Sequence, residues 1–266
     1  MQKTGIKALI IMMVLALAVA LCACGGSDVP KDASSDEPAN APVEKTDDSS
    51  SNDENTSEDS DKDSSSYTKA KALKTSESGK IEVLESGYSY DKEDGYVTAG
   101  VVIGNASSKK AFEYAGVRMT AYGDDGSVIG TTEATHEYIL PGENDAFSVP
   151  LDTKGKNPKR VEFKADQGDE ADDTEGAISS KDVVVLNTSE NIDEEYGEIQ
   201  YTGEIENKSK KDISSPYITV LLRKKGKIVY AYEELLDDLP KGEKTPFDFS
   251  FSSKVKHDKY EFYVAK

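Results

Sequence analysis

The sequence predicts an all-β protein in which two copies of one β-sandwich domain follow a disordered acidic tether. Three observations predict this fold. The chain repeats itself at an offset of about 100 residues, its apolar residues beyond residue 80 alternate with polar ones, and turn sequences separate the alternating runs. Alternation with period two places apolar side chains on one face of a strand. No stretch beyond the N-terminal apolar run keeps a helical period.

The internal repeat relates residues 80–166 to residues 181–266. Each copy has about 86 residues, which is long enough to bury a modest core without disulfides or metal. Residues 167–180, which are acidic and small, form a linker between the copies. The landmarks that the copies share include Gly104-Asn105-Ala106-Ser107 with Glu206-Asn207-Lys208-Ser209, and Leu140-Pro141-Gly142-Glu143 with Leu239-Pro240-Lys241-Gly242-Glu243.

The second strand of each copy illustrates the alternation. One face is expected to carry Val97, Ala99, Val101 and Ile103 in the first copy, and Ile199, Tyr201, Gly203 and Ile205 in the second. Asp124-Asp125-Gly126 and Lys224-Lys225-Gly226 suit tight hairpins, because glycine tolerates the positive φ that such turns need. Six or seven short strands per copy, with turns every 8–12 residues, are typical of an immunoglobulin-like β-sandwich.

The N-terminus predicts export and lipid attachment. Lys3 and Lys7 precede a short apolar run over residues 8–21, which is typical of a secretory signal peptide. Leu21-Cys22-Ala23-Cys24 resembles the lipobox of bacterial lipoprotein precursors. The resemblance implies that residues 1–23 are removed and that Cys24 carries a diacylglyceryl group, whose acyl chains anchor the protein in a membrane. The alternative is an ordinary signal peptide followed by a cysteine by chance.

Residues 24–79 are expected to form a lipid-anchored, disordered linker. From residue 25 to residue 66 there are thirteen Asp and Glu against three Lys, and almost no large apolar side chain, so the segment cannot bury enough surface to fold. It would lift the folded part off the membrane; the alternative is an acidic interaction tail that collects cations. Cys22 is lost with the signal peptide, so the mature chain has no free thiol, disulfide or cysteine metal site.

Three stretches of the first copy resemble the FxLYD-type domain of bacterial surface lipoproteins. They are residues 103–107 (IGNAS), 122–130 (YGDDGSVIG) and 140–143 (LPGE). The resemblance covers about 170 of the 266 residues across both copies. The second copy departs from it with Leu222-Arg223-Lys224-Lys225-Gly226 in place of the Tyr-Gly-Asp-Asp-Gly stretch. The resemblance to this family implies the fold and a surface location, and it implies no enzymatic activity.

The sequence offers little catalytic chemistry. It has two histidines, His136 and His257, at non-equivalent positions, with His136 aligned to Leu235. Both are expected at the surface or at strand ends. No nucleophile, phosphate-loop or paired-histidine motif occurs, so no enzyme and no cofactor are predicted. A cleft that joined one of these histidines to two carboxylates would reverse that expectation.

Calcium and nucleic acid are also unfavourable ligands. The acidic runs, of which Asp169–Asp173 in the linker is the best placed, lack the alternating spacing of a calcium loop. No metal site is therefore predicted. The net charge of −19 would repel the phosphates of nucleic acid.

Differences between the copies indicate where binding could have been added. Tyr88, Tyr90 and Tyr96 replace Glu190, Ile192 and Glu198 and could form a patch for sugar or peptide; alternatively, one or more pack inside. Tyr230 and Tyr232, taken to replace Thr131 and Glu133, carry the same two interpretations.

The function expected from the sequence is a non-catalytic interaction module. It would be held at the extracytoplasmic face of a cell membrane through the lipid on Cys24. The long polar stalk and Gly25-Gly26 favour a Gram-positive envelope. The partner would be an unidentified protein or wall polymer, and not nucleic acid. The alternative is a structural spacer or assembly accessory without a small ligand.

Overall fold

The computed structural model describes residues 68–266, and every regular element in this range is a β-strand. The predicted signal peptide, Cys24 and the predicted tether up to residue 67 lie outside the described residues. Between residues 68 and 266 no helix is long and apolar enough to cross a membrane. The predicted all-β fold class is confirmed.

The first repeat consists of two three-stranded antiparallel sheets and one small sheet of two-residue strands. The sheet orders are β1-β2-β7, β5-β4-β8 and β6-β3-β9. The strands are β1 (Ile81–Asp91), β2 (Tyr96–Asn105), β3 (Phe112–Glu113), β4 (Gly116–Tyr122), β5 (Val128–Thr135), β6 (Tyr138–Ile139), β7 (Asn144–Asp152), β8 (Arg160–Asp166) and β9 (Asp169–Glu170).

The second repeat has the same two larger sheets, with orders β10-β11-β14 and β13-β12-β15. All of its strand pairs are antiparallel. Its strands are β10 (Val183–Asp193), β11 (Glu198–Asn207), β12 (Tyr217–Lys224), β13 (Lys227–Leu235), β14 (Lys244–Ser252) and β15 (Lys259–Ala265).

Each repeat encloses its own core between its two larger sheets. The predicted inner face of β2 is fully buried at Val97, Ala99, Val101 and Ile103. The corresponding face of β11 is buried at Ile199, Tyr201 and Ile205. The second core is richer in aromatic rings, which come from Phe247, Phe249, Phe251, Tyr260 and Phe262 in addition to Tyr201.

A buried asparagine explains why the two copies share their landmarks. The side-chain amide of Asn105 donates hydrogen bonds to the carbonyl oxygens of Lys110 (2.7 Å) and Ile139 (3.0 Å). The amide of Asn207 donates equivalent bonds to Lys211 (2.9 Å) and Leu239 (2.8 Å). The Asn-x-Ser and Leu-Pro turns therefore meet at one amide in each repeat. Buried backbone carbonyls need such donors.

The two predicted hairpin glycines take the backbone conformation that the turns require. Gly126 has φ 78° and Gly226 has φ 77°. Lys225 also has positive φ, 50°, so the second hairpin has the two positive-φ residues of a type I′ turn.

The two sandwiches pack against each other, and the described residues belong to one compact unit. A third apolar cluster joins the outer faces of the sheets β1-β2-β7 and β13-β12-β15. Gly100 makes close approach possible, because a Cβ there would lie 2.6 Å from Ile228 Cγ2. The cluster consists of Leu84, Val102, Ala146, Leu221, Ile228 and Ala231, with Leu73 and Tyr263 packed against it.

Residues 68–76, called the strap below, lie along the outer edge of β1. The amide of Ser86 donates to the carbonyl of Thr68 (3.3 Å), and the amide of Lys71 donates to the carbonyl of Leu84 (3.1 Å). The prediction that the disordered linker extends to residue 79 is therefore wrong at that end. Its Lys-Ala-Lys-Ala-Leu sequence gives little sign of a strand, but backbone pairing with a free sheet edge needs no particular side chains.

The predicted linker, residues 167–180, packs against the first repeat. Its β9 strand pairs with β3. Farther along, the carboxylate of Glu143 accepts hydrogen bonds from the hydroxyl of Ser179 (2.6 Å) and the amide of Ser180 (3.0 Å). These hydrogen bonds hold the linker on the first repeat up to Ser180, so the linker does not run along the edge of β10.

Candidate functional site

A buried ion pair connects the two repeats. Arg223 of β12 donates from Nη1 and Nη2 to the two carboxylate oxygens of Glu85 in β1, at 2.6 and 2.8 Å. Its Nε donates to Glu261 of β15 at 2.9 Å. Hydrogen bonding to Glu85 raises the pKa of Arg223 against the opposing effect of burial, so the guanidinium stays charged.

His136 makes a second charged contact between the repeats. Its Nδ1 lies 2.5 Å from Asp145 Oδ2, and its Nε2 lies 3.0 Å from Glu233 Oε2 of the second repeat. The imidazole stacks on Phe147 with 4.2 Å between ring centroids. His136 directly follows β5, which is the second of the two expected positions, and it is buried there. The sequence could not predict the burial of His136, because the contact with Glu233 of the second repeat covers this end of β5.

The electrostatics of His136 favour a structural cation over a catalytic base. Burial lowers its pKa, but the charges and hydrogen bonds of Asp145 and Glu233 outweigh this and raise it to about 10. The cluster has the histidine and two carboxylates that an enzyme could use. However, the side chain is only 2% exposed, so it does not open on a cleft where a substrate could bind.

The pKa of His136 predicts a pH-dependent stability. Because the folded pKa of about 10 lies above the ordinary value of 6.5, the stabilisation is complete below pH 6.5 and is lost as pH rises to about 10. We expect the free energy of unfolding to fall across this range, and to fall less steeply in His136→Gln. Urea unfolding at intervals of half a pH unit would measure both slopes. Equal slopes in the two proteins would contradict the assignment.

His257 is also buried, with a side chain 3% exposed. It lies between β14 and β15, and its Nε2 is 2.6 Å from Glu190 Oε1. The hydroxyl of Tyr201 donates to the same carboxylate, and burial followed by this hydrogen bond raises the pKa of Tyr201. His257 lies in the connection between β14 and β15 with its side chain buried, so it occupies neither the expected surface position nor a strand end.

The three tyrosines singled out in the first repeat do not share one face. Tyr88 pairs with Ala99 and Tyr90 with Val97, so both point to the inner face and pack against the first core. Tyr96 is next to Val97 in β2 and therefore points to the opposite face, where it is 44% exposed. The prediction of one three-tyrosine patch is thus wrong, because the hairpin register reverses the face between Tyr90 and Tyr96.

Tyr96 instead borders a cleft between the repeats, together with Tyr230 of β13. The cleft has a volume of about 670 Å³; Tyr90 also lies at its border, but the ring of Tyr90 packs against the first core. We call it the tyrosine cleft. At one side of the tyrosine cleft, Lys254 of the second repeat forms an ion pair of 2.5 Å with Glu93 of the first. The remaining lining residues include Ser89, Asp91, Lys92, Asp94, Thr98, Ser252, Ser253 and Val255.

Tyr230 belongs to the cleft and also to the second core. It stacks on Phe251 at 5.6 Å between centroids. Burial raises its pKa, whereas a hydrogen bond with Thr98 of the first repeat lowers it. Its hydroxyl therefore reaches across from one repeat to the other.

The alignment used for the tyrosines of β13 is wrong by one residue. Strand pairing relates Tyr230 to Gly130 and Tyr232 to Thr132, since Leu222 pairs with Tyr230 as Ala121 pairs with Gly130. The same register relates His136 to Leu236 and not to Leu235. Tyr232 packs inside, where its ring lies 4.4 Å from that of Phe251.

The acidic runs have local structural roles. Asp91 Oδ1 accepts hydrogen bonds from the turn amides of Glu93 (2.8 Å) and Asp94 (3.2 Å). In the linker, Asp169 belongs to β9. Across residues 68–266, His, Cys, Asp and Glu side chains do not gather in groups of three or more with the geometry of a metal site.

Comparison with known proteins gives only distant structural similarity. No family model matches the chain, and no curated protein is similar to it. The resemblance to FxLYD-type domains therefore stays a prediction.

Three solved structures illustrate the similarity. A calcium-binding mutant of β-glucuronidase 2 from Bacteroides uniformis is 12% identical over 61% of this chain, with a TM-score of 0.21. An exo-chitosanase from Amycolatopsis orientalis is 14% identical over 63%, with a TM-score of 0.19. The C-terminal globular domain of an oligosaccharyltransferase from Pyrococcus abyssi is 12% identical over 70%, with a TM-score of 0.22. The matches span 23%, 23% and 39% of those chains, and at these TM-scores they carry no argument about function.

Proposed function

We propose that the protein is a lipid-anchored, non-catalytic interaction module that binds a cell-wall polymer in the tyrosine cleft. One observation carries the proposal: the cleft is lined by both repeats. Tyr96 comes from the first repeat and Tyr230 from the second. The buried contacts of Arg223 and His136 hold these two walls in place, so the cleft is formed before any ligand arrives.

The lining of the cleft suits a polymer rich in hydroxyl and amino groups. Tyrosine rings stack on the apolar faces of sugar rings, and their hydroxyls form hydrogen bonds. Asp94 and the second carboxylate oxygen of Asp91 add acceptors for hydrogen bonds from sugar hydroxyls and attract amino groups, whereas Glu93 is paired with Lys254. A glycan of the wall presents this combination of groups.

The N-terminal sequence supports the location. The lipobox-like residues 21–24 would anchor Cys24 in the outer face of a cell membrane. Some forty polar and acidic residues separate Cys24 from the folded repeats in the sequence. The cleft would thereby reach polymers of the surrounding wall.

A pair of tyrosine variants tests the site. Using residues 25–266 without the lipid, we expect Tyr96→Ala to weaken sedimentation with purified cell walls by about tenfold, or about 1.4 kcal/mol. Tyr196→Ala is the matched control, because Tyr196 lies in the equivalent hairpin of the second repeat, is 74% exposed and does not line the cleft. Equal losses in both variants would place the binding elsewhere.

The second candidate function is a structural spacer. The apolar and ionic contacts between the repeats favour it, because they make one stiff unit out of two domains. A protein that binds neither walls nor soluble wall fragments, with all variants folded, would favour the spacer over the interaction module.

A further inference from the structure

The second repeat has an open sheet edge beside a groove that is lined by both apolar and polar residues. β10 pairs with β11, and within residues 68–266 no other segment pairs with it. Between β10 and the edge strand β15 lies a groove of about 780 Å³. Its apolar lining includes Val183, Val185, Tyr260, Phe262 and Val264, and residues 141–144 of the first repeat line it as well.

The first repeat shows what covers this edge in the same fold. There the strap pairs with β1 through the backbone groups of Leu84 and Ser86, and Lys71 Nζ forms a 2.6 Å ion pair with Glu82. The corresponding residues of β10 are Leu186 and Thr188. β1 and β8 also approach each other across the first sandwich, whereas the groove separates β10 from β15.

Among residues 68–266, no segment forms a strap for the second repeat. The linker before β10 is held on Glu143 through Ser179 and Ser180, so it does not run beside that strand. In residues 25–66 the only aliphatic side chains larger than alanine and proline are Val29 and Val43, too few to fill an apolar groove. A second copy is disfavoured by charge, since residues 68–266 contain 38 Asp and Glu against 27 Lys and Arg, a net charge of −11.

We propose that the open edge of β10 binds an extended strand of a partner protein, in the place that the strap occupies in the first repeat. The strand's apolar side chains enter the groove above Tyr260 and Phe262, and its backbone pairs with β10. Basic side chains alternate with the apolar ones on the outer face of the sheet, where the next strand, β11, carries Glu204 and Glu206. β10 itself has Val184 at the position that Glu82 occupies in β1. This site is separate from the tyrosine cleft and does not depend on it.

The test uses a peptide of alternating lysine and valine, seven residues long, and a scrambled peptide of the same composition. We expect residues 25–266 to bind the alternating peptide and to discriminate against the scrambled one. Thr188→Lys should weaken binding by about tenfold or more, because a lysine on an edge strand that points into the groove opposes strand addition. Ser189→Lys is the matched control, since the neighbouring side chain is exposed and does not line the groove.

Amide hydrogen exchange gives a readout that does not depend on the variants. The alternating peptide should slow exchange at Leu186 and Thr188 and leave the tyrosine cleft unchanged. The proposal is overturned by absent binding, by equal binding of the scrambled peptide, or by equal effects of the two lysine substitutions. Protection at another strand, or a dimer of the free protein that Thr188→Lys abolishes, would also overturn it.

Discussion

Replacing Arg223 with methionine is expected to lower the free energy of unfolding by about 3–5 kcal/mol. The substitution preserves most of the apolar stem and removes the charge that compensates the buried carboxylate of Glu85. It also removes the hydrogen bond to Glu261, so both carboxylates lose a charged donor. Urea unfolding at pH 7 would measure the change from the midpoint and slope.

The double variant Glu85→Leu/Arg223→Met separates the burial penalty from the value of the pair itself. Replacing both partners of a buried ion pair with apolar residues is often neutral or stabilising. We therefore expect the double variant to recover most of the stability that the single variant loses. A double variant that is as unstable as Arg223→Met would show that the loss has another origin, such as the bond to Glu261.

Replacing Asn207 with alanine is expected to lower the free energy of unfolding by about 2–4 kcal/mol. Its amide is the donor to the carbonyls of Lys211 and Leu239, and a buried polar group left without a partner costs about 1–3 kcal/mol. Its side-chain oxygen also accepts the amide of Ser209 at 2.9 Å. Thermal and urea unfolding would measure the loss.

Two other asparagines test the assignment. Asn105→Ala removes the corresponding donor from the first repeat and should cost a similar amount. Asn191→Ala changes an exposed residue of β10 and should alter the stability by no more than about 0.5 kcal/mol. Similar losses at Asn191 and Asn207 would contradict a specific role for the buried amide.

The sequence predicted the elements of the fold because each core strand buries one face. Val97, Ala99, Val101 and Ile103 alternate with period two, and that spacing alone identifies both the strand and its inner face. The repeat then supplied a second, independent copy of the same pattern. The asparagine of the shared Asn-x-Ser landmark proved to be a buried amide in each copy, which bonds to Ile139 just before Leu140-Pro141 in the first copy and to Leu239 of Leu239-Pro240 in the second.

The packing of the two repeats was not predicted, although β2 carries a signal for it. Gly100 and Val102 lie on the outer face of β2, where β11 has Thr202 and Glu204. Gly100 and Val102 make this outer face small and apolar, which indicates that it is buried and does not meet solvent. The surface that buries it depends on long-range geometry. The sequence could therefore predict neither the Arg223–Glu85 pair nor the His136–Glu233 pair.

The candidate site was predicted only in part because strand faces depend on register. A shift of one residue reverses the face of every side chain in a strand. This sensitivity explains why Tyr96 separated from Tyr88 and Tyr90, and why Tyr230 and Tyr232 were matched to the wrong residues of β5. The cleft itself requires both repeats, so a comparison of one repeat with the other could not show it.

The strap determines how a mechanical load would enter the protein. Any pull transmitted from residues before Thr68 reaches the Thr68–Ser86 and Lys71–Leu84 hydrogen bonds first. These few bonds lie at an edge outside both cores, so they would open before the sandwiches unfold. Peeling residues 68–76 from β1 would release additional chain length, and the strap would then act as an extensible element that limits the tension on the folded repeats.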